Sequence, residues 1–518
     1  NFGRHAVNVM VGGELSSNKH KSYAQTNYGY MPERGLSFVD VPLGTRPSTD
    51  ANYTLNGYAR TAPSLTKSLN NTLSYYVSGS YMYDNRYALN FSVRGDGSNR
   101  FGQDEKEKYL PVWSIGARWN VTDEHWLQGQ DLLNYLSLSA TFGYQGNVVE
   151  NVSANLIAKI LPLDPETGEF KMTYTKLPNP DLKWEKTKSI NLGINFSVLH
   201  SKVNGSFEYY YKKTEDLVTQ REIPYENGEH SMYVNGGNMK NSGWELSFSL
   251  VPVRTRDFVW SLGFNTSKVY NEVSSEFEPT GDWKEVTGGK YNKKGYPVSS
   301  FWAFRFAGLN PKNGGPLFDM SGAATNAGEL DVTQYMVHAG KLDPDLTAGL
   351  NMNFRYKNWT LATSFYLSTG NQCFLSSPYG EMKNTYGMPS EYKNASTQLL
   401  KRWRESGDEK YTNIPSIPVG ENCLPMYPSS VSLYPYEAWA NSDVRVVDAW
   451  YLRCNSISLS YVFPERLIRR FAQNVGFTMT LSNPFQIVSS DFDSRDPEVA
   501  KGSQPLTRNF TFSLNVSF

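Results

Sequence analysis

Residues of alternating polarity recur along most of this chain, and this alternation limits the possible folds more than any other feature. In the last segment, 507–518, every second residue from Phe510 to Phe518 is apolar, and the residues between them are Thr, Ser or Asn. Successive side chains of a β-strand point to opposite faces, so a period of two predicts a strand with one apolar face. The segments 189–198 and 244–250 repeat the pattern. The chain is therefore predicted to be all-β.

Roughly fourteen such segments are long enough to cross a bilayer as strands. A membrane strand needs only about 9–11 residues, half of them apolar, whereas a membrane helix needs about 20 consecutive apolar residues. No run here approaches that helical length, and the mean hydropathy of -0.51 does not exclude a barrel. The predicted strands are Ala6–Leu15, Thr72–Tyr83, Tyr87–Gly95, Tyr109–Val121, Leu132–Gly143, Ser189–Val198, Val203–Leu217, Trp244–Leu250, Phe258–Asn271, Leu346–Tyr356, Trp359–Gly370, Tyr451–Phe463, Val475–Pro484 and Leu506–Phe518.

The links between these segments alternate between short and long. Bacterial outer-membrane barrels have short periplasmic turns and longer extracellular loops. The pattern therefore predicts an antiparallel transmembrane β-barrel whose long loops lie outside the cell. Two short helices are predicted, at 396–405 in a long loop and at 466–473 in a periplasmic turn. The short links are 84–85, 199–201, 252–256 and 357–358, and the long ones are about 16–70, 144–183, 273–343 and 371–446.

The first residues, Asn1–His5, contain no Met and no signal-peptide pattern, and they lead directly into an alternating segment. We expect that further sequence precedes them, including the signal peptide that an exported barrel needs. Short turns in the periplasm make the first segment run upward, so an even number of strands is expected ahead of it.

Charge, cysteines and histidines indicate no catalytic or metal chemistry. Lys plus Arg equals Asp plus Glu at 50 each, which gives no basic surface for nucleic acid. The three cysteines lack metal or redox spacing, although Cys373 and Cys423 fall in one loop, where an oxidising compartment would permit a disulfide. The six histidines show no metal-ligand spacing, and no nucleotide-binding or hydrolase motif is present. We expect neither enzyme activity nor a cofactor.

Two loop features suggest ligands, and each has a plain structural alternative. The acidic cluster at 491–498 would offer oxygen ligands to calcium, but a cluster that lacks the EF-hand glycine and spacing is more often a solvated loop face. Its carboxylates are Asp491, Asp493, Asp496 and Glu498. Aromatic rings in the long loops offer faces on which a sugar stacks or a peptide packs, while packing within the loops explains them too. The candidate substrate-binding residues are Tyr379, Tyr434, Tyr436, Trp439 and Trp283.

Six motifs occur in order along nearly the whole chain: Arg86–Gly102, Leu138–Asn147, Asn179–Lys186, Gly237–Leu246, Phe306–Pro311 and Ala449–Arg453. Together they resemble the SusC/RagA family of TonB-dependent outer-membrane transporters. The resemblance implies a 22-stranded barrel with a plug inside it, a TonB-contacting segment, and a SusD-like lipoprotein as a lid over the extracellular loops. The plug and the TonB-contacting segment lie in the N-terminal part of the family, so this chain is expected to contain neither.

The resemblance implies TonB-dependent, energy-coupled import of a bulky nutrient, an oligosaccharide or a peptide, across the Gram-negative outer membrane. One alternative is a complete passive channel of about 14 strands. A second is a membrane-embedded hydrolase, which would need a cluster of His, Ser and carboxylates that the sequence does not offer. A third is a soluble glycan-binding β protein, in which links have no reason to alternate in length.

Overall fold

One antiparallel sheet of long strands dominates the structure. The structure is a computed structural model, and it describes residues 3–25, 30–38, 64–99, 109–127, 129–147, 149, 152, 154, 156–163, 167–224, 226, 231–277, 279–323, 331–379, 394–424, 426, 433–492, 496–499 and 504–518. Each inner strand of this sheet pairs with the long strands before and after it in sequence, so the sheet is a continuous meander. The fourteen predicted strands are confirmed. They are β1 (His5–Ala24), β2 (Ser64–Tyr83), β3 (Tyr87–Ser98), β4 (Tyr109–Asn120), β5 (Leu133–Asn147), β6 (Glu185–Val198), β7 (Val203–Glu222), β8 (Ser231–Arg254), β9 (Phe258–Val273), β10 (Leu346–Tyr356), β11 (Trp359–Thr369), β12 (Tyr451–Val462), β13 (Asn474–Ser482) and β14 (Asn509–Ser517).

Tight turns close one end of this sheet. Asp84 and Asn85, between β2 and β3, have φ of 52° and 57°, and Lys357, between β10 and β11, has φ of 51°. Positive φ gives a hairpin the twist that matches its right-twisted strands. The opposite end carries the long connections. However, the link 223–230 between β7 and β8 is no longer than the periplasmic link 121–132, so length alternates less strictly than the sequence suggests.

Several strands continue past the segments that alternation marks. β1 reaches Ala24 and β2 begins at Ser64, so their connection spans 25–63 rather than 16–70. β7 likewise reaches Glu222, and β8 begins at Ser231. Above the membrane the outward face no longer meets lipid, so the apolar alternation ends while backbone pairing continues.

The two faces of the sheet differ as the alternation predicts. On β14 the outward side chains of Phe510, Phe512 and Leu514 are each more than 60% exposed. The inward face carries small polar groups that hydrogen-bond across strands, such as the hydroxyls of Ser458 and Thr480 at 3.0 Å. An outward apolar band and a polar interior are typical of a membrane barrel.

Aromatic rings gather where the strands end. The Trp359 and Tyr461 ring centroids lie 4.6 Å apart. Trp260 stacks on Phe354 at 5.7 Å, with 15° between the ring planes. Such amphipathic rings suit the headgroup regions of a bilayer.

The outermost strands of the sheet are β1 and β14. In the part of the chain that the structure describes, β1 pairs with β2 alone and β14 with β13 alone. An unpaired backbone edge is costly in lipid, where no water satisfies its N–H and C=O groups. The described strands thus form an open sheet.

The connections contain short elements of their own. The helices predicted at 396–405 and 466–473 are a 3-10 helix at Thr397–Lys401 and a four-residue helix at Glu465–Ile468. No helix among the described residues is long and apolar enough to cross a membrane. The α-helices of the described residues are α1 (Trp283–Thr287), α2 (Pro435–Ala440) and α3 (Glu465–Ile468). The other 3-10 helices in this part of the chain are Pro32–Arg34, Val121–Asp123, His125–Leu127, Val332–Gln334, Asp408–Lys410, Gly420–Cys423 and Asp443–Arg445. The paired short strands are Tyr30–Met31 with Ser37–Phe38, Ile157–Leu163 with Phe170–Lys176, Ser300–Phe304 with Met336–Lys341, Phe306–Leu309 with Pro316–Phe318, and Gln372–Phe374 with Val446–Asp448, while Gln486–Val488 pairs with β12.

Candidate functional site

The two longest connections, 274–345 and 370–450, fold against each other above the sheet. Phe304 of the first donates its backbone N–H to the carbonyl of Asn441 in the second at 3.0 Å. The rings of Phe301 and Phe374, one from each connection, lie 5.0 Å apart. A shared cluster buries Trp283, Val286, Trp302, Phe304, Val332, Tyr335 and Met336 from the first together with Leu433 and Ala438 from the second. We call the described residues of these two connections the extracellular loop unit.

Three of the five candidate substrate-binding residues meet in this unit. The Tyr379 ring packs edge-on against Tyr436 at 5.1 Å and against Trp439 at 5.6 Å. Their polar atoms bind backbone carbonyls: the Tyr379 hydroxyl donates to Pro415 at 2.5 Å, and the Trp439 Nε1 donates to Asn413 at 2.8 Å. The Arg445 guanidinium lies 4.7 Å above the Trp439 ring. The three rings thus have a structural role, in holding α2 against the segment 413–416.

Burial keeps the two tyrosine hydroxyls of this group protonated. Tyr436 is fully buried and donates its hydroxyl to the carbonyl of Ser416 at 2.9 Å. Burial raises the pKa of Tyr436 to about 12, because the charged phenolate would lose its hydration. It also raises the pKa of Tyr379. Both phenols are neutral at any physiological pH.

The other two candidates lie apart from this group. Trp283 begins α1 and packs edge-on against Phe304 at 5.6 Å. Tyr434 precedes α2, where its carbonyl accepts the N–H of Ala438 at 2.9 Å, and its side chain is half-buried. Among the five, Tyr434 has the most accessible ring. A contribution of any of the five to substrate binding stays a prediction.

The loop unit exposes large apolar side chains that the sequence did not single out. Tyr411 is 88% exposed, and three further side chains between 394 and 424 are at least 60% exposed: Leu400, Val419 and Leu424. Isolated exposed apolar residues are ordinary, whereas several within one short segment are typical of a surface that meets a partner. Sequence alone does not distinguish them from the buried Leu399 and Trp403 beside them.

The acidic cluster after β13 has a cationic partner within the chain. The Asp496 carboxylate accepts from Arg453 Nη2 at 2.5 Å, and both side chains are almost completely buried. Glu498 binds the same guanidinium. Asp491 is exposed, and Asp493 lies outside the described residues. No group of His, Cys, Asp and Glu in the described residues has the arrangement of a metal site.

No disulfide joins Cys373 to Cys423 or to Cys454, all three of which the structure describes. Cys373 lies in the strand Gln372–Phe374, opposite Val447. Cys423 ends the 3-10 helix Gly420–Cys423. Cys423 also packs against the buried cluster of Tyr379, Leu399, Tyr436 and Trp439.

The inward face of β7–β12 holds a polar recess of about 590 Å³, whose lining includes Glu208 and Glu245. These two residues are direct cross-strand partners, flanked by the hydrogen-bonded hydroxyls of Ser206 and Ser247 at 2.8 Å. Like charges directly opposite each other destabilise a sheet. Neither carboxylate takes part in any ion pair of the described chain. The alternating pattern of the sequence places each glutamate on the inward face, but only the pairing of the strands shows that the two are direct partners.

An antiparallel meander with an apolar outward band, aromatic rings at the strand ends and a polar interior defines the chain as part of an outer-membrane β-barrel. Residues 7–393 match the family described as TonB dependent receptor-like, beta-barrel. The chain belongs to that family, and it lies in the outer membrane of a Gram-negative cell.

Relatives and solved structures agree with this assignment and confirm the resemblance to SusC and RagA. The chain is 28% identical over 544 residues to the TonB-dependent receptor SusC of Bacteroides thetaiotaomicron, covering 100% of this chain and 48% of SusC. It is 25% identical to the TonB-dependent receptor P3 of Formosa agariphila, covering 85% of this chain and 44% of P3. The chain therefore spans about half the length of these curated relatives.

Among solved structures, the fold resembles that of the RagAB peptide transporter. The TM-score is 0.75 at 19% identity, covering 100% of this chain and 54% of that chain. The RagAB peptide importer in its open-open state gives a TM-score of 0.77 at 20% identity, covering 99% of this chain and 53% of that chain. At this identity the likeness establishes the fold alone.

Proposed function

We propose that the protein imports a bulky nutrient, an oligosaccharide or a peptide, across the outer membrane by TonB-dependent, energy-coupled transport. The observation that carries the proposal is the open fourteen-stranded sheet of a TonB-dependent receptor, joined to a large folded loop unit on the extracellular side. The reaction is movement of a solute, with no covalent chemistry and no cofactor.

The sheet needs a complement to work as a transporter. The free edges of β1 and β14 favour further strands that close the barrel, and the SusC/RagA resemblance implies 22 strands in all. A plug inside that barrel would face the inward recess. A basic side chain of such a plug would neutralise Glu208 and Glu245, whose mutual repulsion the sheet itself does not relieve. TonB would act on the complement rather than on this chain.

The loop unit is where we place the lipoprotein lid and the substrate. Its own core makes it an ordered platform, and its exposed residues Leu400, Tyr411, Val419 and Leu424 provide apolar contacts for a SusD-like partner. Tyr434 offers a half-buried ring to a substrate held beneath that lid. The buried rings of Tyr379, Tyr436, Trp439 and Trp283 keep these surfaces in place.

A complete passive channel of about 14 strands is the other candidate function. It requires β1 to pair with β14, and the described strands show no such pair. The open edge therefore favours the coupled importer.

Uptake measurements distinguish the two functions. The full transporter is expressed with its lipoprotein, and uptake of labelled oligosaccharides and of peptides is followed with TonB present or deleted. We expect uptake of one class to fall to background without TonB, while the barrel still shows heat-modifiable migration. Uptake that is equal with and without TonB would establish a passive channel instead.

The role of the loop unit is tested by two polar substitutions made together, Tyr411→Ser and Leu424→Ser. Because both side chains are exposed, the barrel should assemble normally while co-purification of the lipoprotein falls. The matched control is Leu467→Ser, an exposed apolar residue of the periplasmic helix α3. Unchanged co-purification in the double variant would remove these residues from the lid interface.

A further inference from the structure

Three lysines stand in one row across neighbouring strands of the sheet. Lys188 of β6 is the direct cross-strand partner of Lys213 of β7, and Lys213 is the direct partner of Lys240 of β8. Neighbouring strands lie about 4.8 Å apart, so the three Cα atoms fall within roughly 10 Å. We call Lys188, Lys213 and Lys240 the lysine row.

The row lies on the outward face of the sheet. Side chains two residues apart share a face, so Lys188 is on the side of Ile190, and Lys213 is on the side of Tyr211. Ile190 and Tyr211 are themselves cross-strand partners in the apolar band. The row therefore stands two residues, about 7 Å of strand, beyond that band.

The row also lies at the end of the sheet that carries the long connections. β6 begins at Glu185, only three residues before Lys188, and Lys240 likewise stands in the half of β8 that lies nearer to its extracellular start. The Lys188 Nζ lies 5.2 Å from the centroid of the Phe142 ring on β5. An outward row directly above aromatic rings is at the depth of the outer-leaflet headgroups.

The charges of the row are only partly balanced within the protein. Lys213 pairs with Glu215 at 2.5 Å, and Glu272 of β9 is the cross-strand partner of Lys240. Lys188 has no carboxylate in ion-pair distance anywhere in the described chain; its neighbours across the strands are Tyr144 and Lys213. Like charges in direct register destabilise a sheet, and here the same arrangement occurs twice in succession. An anion from outside the chain would offset that repulsion.

We propose that the lysine row binds the phosphate of an anionic lipid in the outer leaflet. Lysine stems lie along apolar surface while their ammonium groups reach polar neighbours, which suits a headgroup just above the aromatic rings. Lipid is the immediate neighbour of an outward side chain at this depth, whereas a lid over the loops lies above it. The inference rests on the barrel and its orientation, and it does not depend on what the protein imports.

Charge-neutral substitution of the row tests the proposal in the full, assembled barrel. The variant Lys188→Gln, Lys213→Gln, Lys240→Gln is compared with wild type by native mass spectrometry, with phosphatidylglycerol or phosphatidylcholine added to the detergent micelles. Each lysine near an anionic surface contributes roughly fivefold in affinity, so we expect phosphatidylglycerol binding to weaken by about 100-fold. Phosphatidylcholine, which carries no net charge, should bind weakly to both proteins.

Two further variants serve as controls. Lys212→Gln changes the adjacent residue, which is exposed on the inward face of the same strand, and should leave lipid binding unchanged. The variant Lys188→Arg, Lys213→Arg, Lys240→Arg keeps the charge and should bind phosphatidylglycerol as wild type does. Heat-modifiable migration of each variant confirms that the barrel has assembled.

Two results would overturn the proposal. One is equal phosphatidylglycerol binding by wild type and the glutamine variant; if that variant also loses lipoprotein co-purification, the row contacts a protein. The other is displacement of the lipid by an equal concentration of inorganic phosphate alone, which would make the row a site for free anions.

Discussion

Removing one partner of the Arg453–Asp496 pair should open the extracellular end of β12 locally. The two residues are 4% and 3% exposed, and Arg453 lies in the three-residue stretch of β12 that pairs with Gln486–Val488. Asp496→Leu leaves a buried guanidinium whose remaining partners among the described residues are Glu498, the Gln486 amide and the Tyr451 ring, 5.1 Å away. Breaking a buried ion pair typically costs about 3–5 kcal/mol, and because Glu498 remains we expect about 3 kcal/mol.

Hydrogen exchange of the assembled barrel measures this loss of local stability in the segments around Arg453. A change of about 3 kcal/mol raises the local opening equilibrium on the order of 100-fold, so peptides containing 451–453 and 486–488 should exchange faster by that factor. Peptides from β14 should not change. The control is Glu276→Leu, which removes a partner of Lys294 from an exposed pair at 2.7 Å. Exposed pairs contribute little, so we expect at most about a fivefold effect there.

The double variant Arg453→Met, Asp496→Leu separates a charge effect from a packing effect. Replacing both members of a buried pair by apolar residues is often neutral, so exchange should return to within a few-fold of wild type. If Asp496→Leu leaves exchange unchanged, the pair does not hold this connection. If the double variant exchanges faster than Asp496→Leu, the two side chains act through packing alone.

Three further outcomes follow from the faces and burial of particular side chains. Phe512→Arg on the outward face of β14 should lower the free energy of unfolding in denaturant by about 2–4 kcal/mol if residue 512 lies near the midplane of the bilayer. The control Ser513→Arg, on the inward face, should lower it much less. Equal effects would contradict the assignment of these two residues to opposite faces. Burial raises the pKa of Tyr436 from 10 to about 12. The neutral phenol therefore contributes about 2–3 kcal/mol to the stability of the loop unit below pH 10, and this contribution is lost as the pH rises through 12. Tyr436→Phe should weaken this alkaline transition, followed by tyrosinate absorbance, and an unchanged transition would exclude the phenol as its source. Glu208→Gln with Glu245→Gln should loosen a plug in the complete transporter, seen as faster proteolysis of the plug, and unchanged proteolysis would exclude the contact.

The membrane part of the fold could be predicted from sequence because lipid imposes a simple rule on it. Every strand between the two headgroup regions must present apolar side chains at every second position, and Phe510–Phe518 show this without any reference to their neighbours. Above the membrane, strands no longer need an apolar side chain at every second position. Residues 16–24 of β1 contain Lys19, His20 and Lys21 and no apolar period, so nothing in the sequence distinguished them from a loop.

The candidate site could be predicted only as a region. Aromatic residues in a long connection are either presented to a ligand or used to build a core, and composition is the same in both cases. Tyr379 is buried because Pro415, Tyr436 and Trp439, all more than thirty residues away, converge on it. That convergence depends on packing between distant parts of the connection 370–450, which no local pattern records.

Strand β7 carries charged residues on both faces of the sheet, and the two faces have different surroundings. Its inward Glu208 stands opposite Glu245, and five residues later its outward Lys213 stands between Lys188 and Lys240. In a sheet surrounded by water, high dielectric and salt would weaken both sets of repulsions. Beneath a plug and beside lipid the surroundings are less polar than water, so each repulsion costs more unless an opposite charge lies close by. Under the two proposals above, a basic side chain of the plug offsets the inward pair and an anionic headgroup offsets the outward row, and the alternation of a single strand is enough to present both.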